Sequence, residues 1–389
     1  MALKGLDIFK LTPKTNCKDC GCPTCMAFAM KVAQGALPVS KCPHMSPDAL
    51  AKLSEATEPP MRTIGIGTPP CTYTLGGETV MLRHEKTLVN PNLFGIFLAS
   101  HMPDSVIDAL LGEAVAIDYE RIGKRMYVEC VYVKCDADAA RNVEVAKKAI
   151  ASGRVLILEC ADADAARAVV DATKEAKPVL CGADAGNWEA MNEVAKEAGI
   201  VLGVSGTDLS QIHETVEKLQ SAGNRNLIID LGSASIKEAF SNAVEIRRAA
   251  IKDGDRTFGY PTIVNLAALA PEDRVTQAAL ASIFTLRYGS IIIMERMSYA
   301  EALPLFGLRQ NIYTDPQKPM KVVPGIYPIN GADENSVCAI TVDFALTYFV
   351  VSGEIERSGA PVNLLVTEAG GYSVLTAWAA GKLSKANGR

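Results

Sequence analysis

Between residues 93 and 296 the chain alternates short, unbroken apolar runs with longer stretches whose apolar residues recur at helical spacing. The runs are "LFGIFLA" (93–99), "MYVECVYV" (126–133), "RVLILEC" (154–160), "PVLCGA" (178–183), "IVLGVSG" (200–206), "NLIIDLG" (226–232), "PTIVNLA" (261–267) and "SIIIMER" (290–296). Each has the length of a strand and lacks polar alternation, as expected where a parallel sheet is covered on both faces. "DSVIDALLGEAVAIDYERI", "AARNVEVAKKAIASG" and "SIKEAFSNAVEIRRAAI" predict intervening helices. Eight strand–helix units fit an α/β TIM barrel, with a doubly wound open sheet as the alternative.

Two stretches rich in proline and glycine, "ATEPPMRTIGIGTPP" (56–70) and "GLRQNIYTDPQKPMKVVPG" (307–325), read as linkers. They divide the chain into a cysteine-bearing head (1–60), a barrel with an N-terminal hairpin (61–310) and a C-terminal piece (320–389). The hairpin falls in 63–92, where strand residues flank the Gly-Gly of "YTLGGETVML". In the C-terminal piece, "SVCAITVDFALTYFVVSGEIE" starts as a strand and turns helical near Leu346. A strand "PVNLLVTEAGG" and a helix "SVLTAWAAGKLSK" follow.

A chain of 389 residues, 49% hydrophobic and 21% charged, can bury substantial cores. A formal charge of -5 offers no field for nucleic acid. The N-terminus lacks a signal peptide's apolar core, and "ITVDFALTYFVV" is too short and interrupted by Asp343 for a membrane span. The expected compartment is the cytoplasm, where thiols stay reduced, which disfavours disulfides. Cysteines 71, 130, 135, 160, 181 and 338 then read as small buried apolar residues.

The loops after the barrel strands, "GADAGN", "GVSGTD" and "DLGSAS", are small and polar, without an evident catalytic dyad. Asp230 reads as a cap of the helix that follows it, and histidines 44, 84, 101 and 213 as structural or solvated. In "TEAGGYS" the paired glycines let a ligand approach the backbone, while Ser373 and the first-turn N–H groups can bind oxygen atoms. A simple chain reversal explains the same residues.

"CKDCGCPTC" (17–25) and "SKCPH" carry Cys17, Cys20, Cys25 and Cys42 in a C-x2-C-x4-C-x16-C pattern. Zinc ribbons present two similar cysteine pairs. Here one loop supplies three thiols and a distant Cys-Pro the fourth, the logic of a ferredoxin-type cubane, and zinc is the alternative. "MAFAMKVAQG" predicts a short helix that gives the centre an apolar wall, which disfavours the more negative reduced cluster. Cys22 is a neighbour outside the ligand set.

"TNCKDCGCPTCMAFAMKVAQGALPVSKCP" resembles the large subunit of the corrinoid iron–sulfur protein, the gamma subunit of the acetyl-CoA decarbonylase/synthase complex. The resemblance continues through the barrel and returns in "PGIYPINGADENS", "DFALTYFVVSGEIE" and "SVLTAWAAGK". It implies a 4Fe-4S domain, a TIM barrel and a C-terminal α/β corrinoid-binding domain, the last partial here because family members continue beyond "TAWAAGK". The implied function is a methyltransferase component of the reductive acetyl-CoA pathway. A base-off cobalamin takes a methyl group from a methyl-tetrahydropterin (tetrahydrofolate or tetrahydromethanopterin type) and passes it to acetyl-CoA synthase, and the cluster restores Co(I).

By the same resemblance, Cys17, Cys20, Cys25 and Cys42 hold the cluster. Thr341, Thr347, Gly370, Gly371, Tyr372, Ser373, Val374, Leu375 and Thr376 contact the corrinoid, with Thr376 or Thr347 nearest cobalt. Implied partners are the small (delta) subunit in a heterodimer, a methyl-pterin-dependent methyltransferase and acetyl-CoA synthase/CO dehydrogenase. No Asp-x-His-x-x-Gly loop is present, in keeping with an unligated lower cobalt face. A shortened relative that keeps the cluster for electron transfer or interaction, without cobalamin, is the competing reading.

Overall fold

In the computed structural model the eight apolar runs close into one barrel. The described residues are 5–33, 37–50, 53, 59–83, 85, 88–232, 235–314 and 320–370. Two strands before the barrel form a hairpin, β1 (Ile64–Thr68) and β2 (Cys71–Leu75). Barrel strand β3 (Leu93–Ala99) is followed by a second antiparallel hairpin, β4 (Asp118–Arg121) and β5 (Lys124–Tyr127). The remaining barrel strands are β6 (Cys130–Lys134), β7 (Val155–Glu159), β8 (Val179–Ala183), β9 (Val201–Val204), β10 (Leu227–Asp230), β11 (Thr262–Asn265) and β12 (Ile291–Met294). Each pairs in parallel with the next, and β12 pairs with β3 to close the ring. Strand interiors such as Phe94, Ile96, Leu156, Ile157, Ile228 and Ile292 are buried, which is why these runs show no polar alternation.

Helix starts are fixed by local chemistry. Asp138, Asp162, Asp208, Ser235 and Asp273 each accept a backbone N–H from the first turn of the helix they precede. Gly182 answers a different need. Its φ is +106°, beside an irregularity in the β8–β9 register, and a Cβ there would lie 2.2 Å from the Cys160 carbonyl oxygen. An L side chain does not fit.

Several boundaries differ from the sequence reading. Ile64–Thr68 is a strand inside the proline-rich stretch, and the chain turns at Pro69–Pro70, with Gly76 and Gly77 lying beyond β2. Ile64, Ile66 and Leu75 join the barrel core, so burial overrides the local linker signal. The run at 126–133 is divided: Met126 and Tyr127 end β5, and Cys130 begins β6. "DYER" is β4 and not the end of the helix Asp104–Ala116. The second supposed linker opens inside a helix, Tyr299–Ile312.

The C-terminal piece forms a three-stranded sheet. β13 (Gly325–Ile329) runs antiparallel to β15 (Val362–Val366), and β14 (Val337–Thr341) lies parallel to β15 on its other side. The helix Ala345–Ser358 makes the crossover between the parallel strands. The expected helix in "SVLTAWAAGKLSK" lies outside the described residues. No helix among the described residues is long and apolar enough to cross a membrane.

Candidate metal centre

In the head, helices α1 (Gly5–Leu11) and α2 (Cys25–Ala33) pack through Ile8, Phe28, Ala29 and Val32, with Val39 and Leu53 completing the core. Cys25 opens α2. Its N–H donates to Asn16 Oδ1 at 2.8 Å, and the N–H of Ala27 donates to Thr24 Oγ1 at 3.1 Å, so two otherwise orphaned donors are satisfied. Cys42 follows the single turn Val39–Lys41 and donates its N–H to the Val39 carbonyl.

The loop before α2 is backbone-strained. Lys14, Asn16, Lys18 and Gly21 have φ of 59°, 49°, 71° and 77°. Left-handed conformations in non-glycine residues are costly, of order 1–3 kcal/mol each. Left-handed residues next to right-handed or turn residues can form backbone N–H concavities that suit an anion, as at many iron–sulfur sites. Cys17 and Cys20 sit in this loop. Cys20, Cys25 and Cys42 are buried, and Cys17 is exposed.

Cys22 is more buried than any of those four, 2% exposed, within the apolar cluster of Ile8 and Phe28. Burial pushes its thiol up from the ordinary range, and Cys20 beside it adds to the rise. A zinc ion with 2.3 Å bonds to sulfur would draw thiols to within about 4 Å of one another. Among the described residues, one set of three ligating groups has donor atoms within 4.8 Å, Cys17, Asp19 and His44, and it holds only one cysteine. Among the described residues no three of the four cysteines form so compact a set.

His44 is the residue that spacing did not flag. Its Nε2 lies 2.6 Å from Asp19 Oδ2, tying the loop of Cys17 and Cys20 to the segment after Cys42. His44, with the Cys17 thiol as a second donor, holds the Asp19 carboxyl below its usual range. His101 and His213 likewise meet aspartates, Asp136 at 2.7 Å and Asp255 at 3.2 Å. His84 lies outside the described residues.

At the barrel's C-terminal mouth the expectation for Asp230 is corrected. Ser235 caps the following helix, while Asp230 Oδ1 accepts the Gly232 N–H at 3.0 Å and faces inward. Burial pushes its carboxyl up to about 6, opposed by the Gly232 N–H and reinforced by Glu159. The mouth is therefore less bare of acids than its loops indicate, because these acids end strands β10 and β7. The folded-state value is raised, so the native chain keeps this proton where the unfolded chain has lost it. Stability from Asp230 is complete below about pH 4 and declines as pH rises through about 6. Asp230→Asn, which keeps the acceptor for Gly232, is expected to raise the urea midpoint at pH 8 by the equivalent of roughly 1–3 kcal/mol. The gain should shrink towards zero near pH 4; a pH-independent change would contradict this account.

In the C-terminal sheet, Thr341 is buried at the end of β14, and its carbonyl accepts the Thr367 hydroxyl at 3.2 Å. Asp343, 3% exposed, accepts from Lys321 Nζ through Oδ2 at 2.7 Å, and its Oδ1 has no partner among the described residues. A Cβ on Gly370 would come within 3.9 Å of both Asp343 Oδ1 and Lys321 Nζ. Thr341, Asp343 and Gly370 thus meet at the carboxyl ends of two parallel strands, where open α/β sheets take ligands. Thr347 is half-buried in the first turn of the crossover helix. Gly371, Tyr372, Ser373, Val374, Leu375 and Thr376 lie outside the described residues.

A family model described as the CO dehydrogenase/acetyl-CoA synthase delta subunit matches residues 63–388, and one described as an Fe-S cluster matches residues 13–44. The chain is 35% identical over 384 residues to the corrinoid/iron-sulfur protein large subunit of Moorella thermoacetica, covering 98% of this chain and 85% of that one. It is 30% identical over 396 residues to the acetyl-CoA decarbonylase/synthase complex subunit gamma of Methanothermobacter thermautotrophicus, covering 99% and 86%. Against the gamma subunit of Methanopyrus kandleri it is 33% identical over 396 residues, covering 98% and 85%.

Proposed function

From its membership of the corrinoid/iron–sulfur protein large-subunit family, to which the chain belongs, we propose that it binds an iron–sulfur cluster and a corrinoid as a methyl-carrying component of an acetyl-CoA decarbonylase/synthase assembly. Cys17, Cys20, Cys25 and Cys42 hold a 4Fe-4S cluster. The observation that carries the reading is the strained loop that places Cys20, together with Cys42 from its own turn, in the buried apolar cluster of the head and leaves Cys17 exposed at its edge. The corrinoid is base-off, and Thr341, Thr347 and residues 370–376 would hold it. When bound, it supplies a cobalt centre that takes up a methyl group from a methyl-tetrahydropterin, and the cluster supplies the electron that restores a lapsed cobalt.

The chain's own residues hold and orient these groups. Phe28, Ala29 and Val32 exclude water from the inner side of the cluster site. Asp343 fixes Lys321 and backs Gly370, and its Oδ1, without a partner among the described residues, can accept an N–H from a corrin amide. A small subunit completes the corrinoid enclosure, and the methyl group passes on to acetyl-CoA synthase.

Metal analysis of the chain, purified without oxygen together with its small subunit, tests the reading. About four irons per cobalt is the expected result. Iron without cobalt would leave an electron-transfer or interaction module, and zinc alone would remove the cluster. In the same preparation Asp343→Ala is expected to weaken cobalt retention about tenfold, since hydrogen bonds to a charged group contribute roughly 1.5–3 kcal/mol. Iron content should not change; undiminished cobalt would remove Asp343 from the site.

A further inference from the structure

We propose that Cys135 and Cys160, at the C-terminal mouth of the barrel, are a modification site at which peroxide closes a reversible disulfide. Strands β6 and β7 run in register to Lys134 and Glu159, and each cysteine is the next residue. The ladder continues through them. The Cys135 N–H donates to the Glu159 carbonyl at 2.9 Å, and the Cys160 N–H to the Cys181 carbonyl at 3.1 Å. Paired backbones lie about 4.7–4.9 Å apart, within the Cα separation of about 4.4–6.8 Å that a disulfide accepts. Side chains at paired positions leave the same face of a sheet, and these two thiols meet in a hydrogen bond.

The two thiols differ in access. Cys160 is 1% exposed, whereas Cys135 is half-buried and reaches solvent. The Cys135 contact and burial push the Cys160 thiol up, which leaves Cys135 to meet an oxidant first. The next residue, Asp136, fixes the loop: it accepts the Ser100 hydroxyl at 3.0 Å and the His101 N–H at 3.1 Å, and its own N–H donates to Asn142 Oδ1 at 2.9 Å. The other thiols outside the head are placed differently. Cys71 donates to the Gly153 carbonyl at 3.2 Å, Cys338 is exposed, and Cys130 and Cys181 are sealed in the barrel core. The Cys135 sulfur attacks one oxygen of hydrogen peroxide, the O–O bond breaks, and the departing hydroxide takes the thiol proton, giving a sulfenic acid and water. The Cys160 sulfur then attacks the sulfenic sulfur, the S–O bond breaks, and the hydroxyl leaves with the Cys160 proton as a second water. Two thiols lose two electrons and the peroxide gains them. Capture by Cys160 stops Cys135 short of the irreversible sulfinic acid. A reducing compartment disfavours structural disulfides but admits transient, redox-sensing ones.

Peptide mapping tests this on the full chain, purified without oxygen together with its small subunit and treated with equimolar hydrogen peroxide. Trypsin, cutting after Lys134, Arg141, Arg154 and Arg167, places the two cysteines in separate peptides, 135–141 and 155–167. Once free thiols are blocked with N-ethylmaleimide, mass spectrometry should find these peptides joined, and dithiothreitol should part them. Cys160→Ala should lose the link and carry Cys135 as a sulfenic acid that dimedone labels. Cys135→Ser should lose the link and oxidise Cys160 at least about tenfold more slowly than the parent. Cys130→Ala should form the link as the parent does. Both cysteines left reduced, Cys135 driven to the sulfonic acid without a link, or Cys135 joined to a different cysteine would overturn the pair. So would a link that forms only when the chain is first unfolded in urea.

Discussion

Cys42→Ala is expected to abolish the iron–sulfur absorption and most of the bound iron, while Cys22→Ala keeps both. Cys42 reaches the site from its own turn, Val39–Lys41, and supplies the one thiol not carried by the 17–25 loop. No nearby cysteine can replace it. Cys22 is packed into the core with Ile8 and Phe28, and turning it outward would open that core. Cys22→Ala therefore removes a small buried group, at roughly 1 kcal/mol. The wider consequence of Cys42→Ala lies in the backbone. Lys14, Asn16 and Lys18 hold left-handed conformations that a bound cluster can sustain and a bare loop does not. A unit this small has too little core to stand without a metal. Loss of the cluster is thus expected to melt α1 and α2, seen as a modest loss of helical circular dichroism, with the barrel's own transition unchanged. Full iron content in Cys42→Ala, or its loss in Cys22→Ala, would overturn the ligand assignment.

The barrel was legible because its signal is unusually uniform. A strand buried on both faces must be apolar throughout, and Leu93–Ala99, Val155–Glu159 and Ile291–Met294 read that way without help from neighbours. Strands at the margins did not. Ile64–Thr68 is hidden among prolines and glycines, and its place is set by packing of Ile64 and Ile66 beneath the barrel. β13 contains Pro328, which argues against a central strand; it is tolerated because β13 lies at the sheet edge.

The site divides in the same way. Four cysteines at short spacing announce a metal whatever the fold does. The Asp19–His44 contact joins residues 25 apart, and no local pattern encodes it. Asp230 shows a different limit: an acid ending a strand and an acid capping the next helix occupy nearly the same place in the sequence. Only the direction of the side chain separates them, and Ser235 holds the cap.

Glu129→Ala is expected to destabilise the barrel by about 3–5 kcal/mol, the range for removing one partner of a buried ion pair. Glu129 precedes β6 and is 4% exposed. Its Oε1 accepts from Arg309 at 2.7 Å, and its Oε2 accepts the Phe94 N–H at 2.9 Å. Burial pushes the Glu129 carboxyl up, against the pull of Arg309 and the Phe94 N–H. Truncation would leave the Arg309 guanidinium buried against Phe94 and Phe306 with, among the described residues, the Asn92 carbonyl as its remaining acceptor, and would orphan the Phe94 N–H. A cavity of about 420 Å³ lined by Tyr73, Tyr127, Arg309 and Tyr313 adjoins the pair. Water entering there can solvate the stranded cation, which places the loss nearer the lower figure. Glu129→Met combined with Arg309→Met removes both charges together, and should recover most of the stability in urea or thermal unfolding. If the double variant is no more stable than Glu129→Ala, the penalty comes from lost packing and not from the unpaired charge.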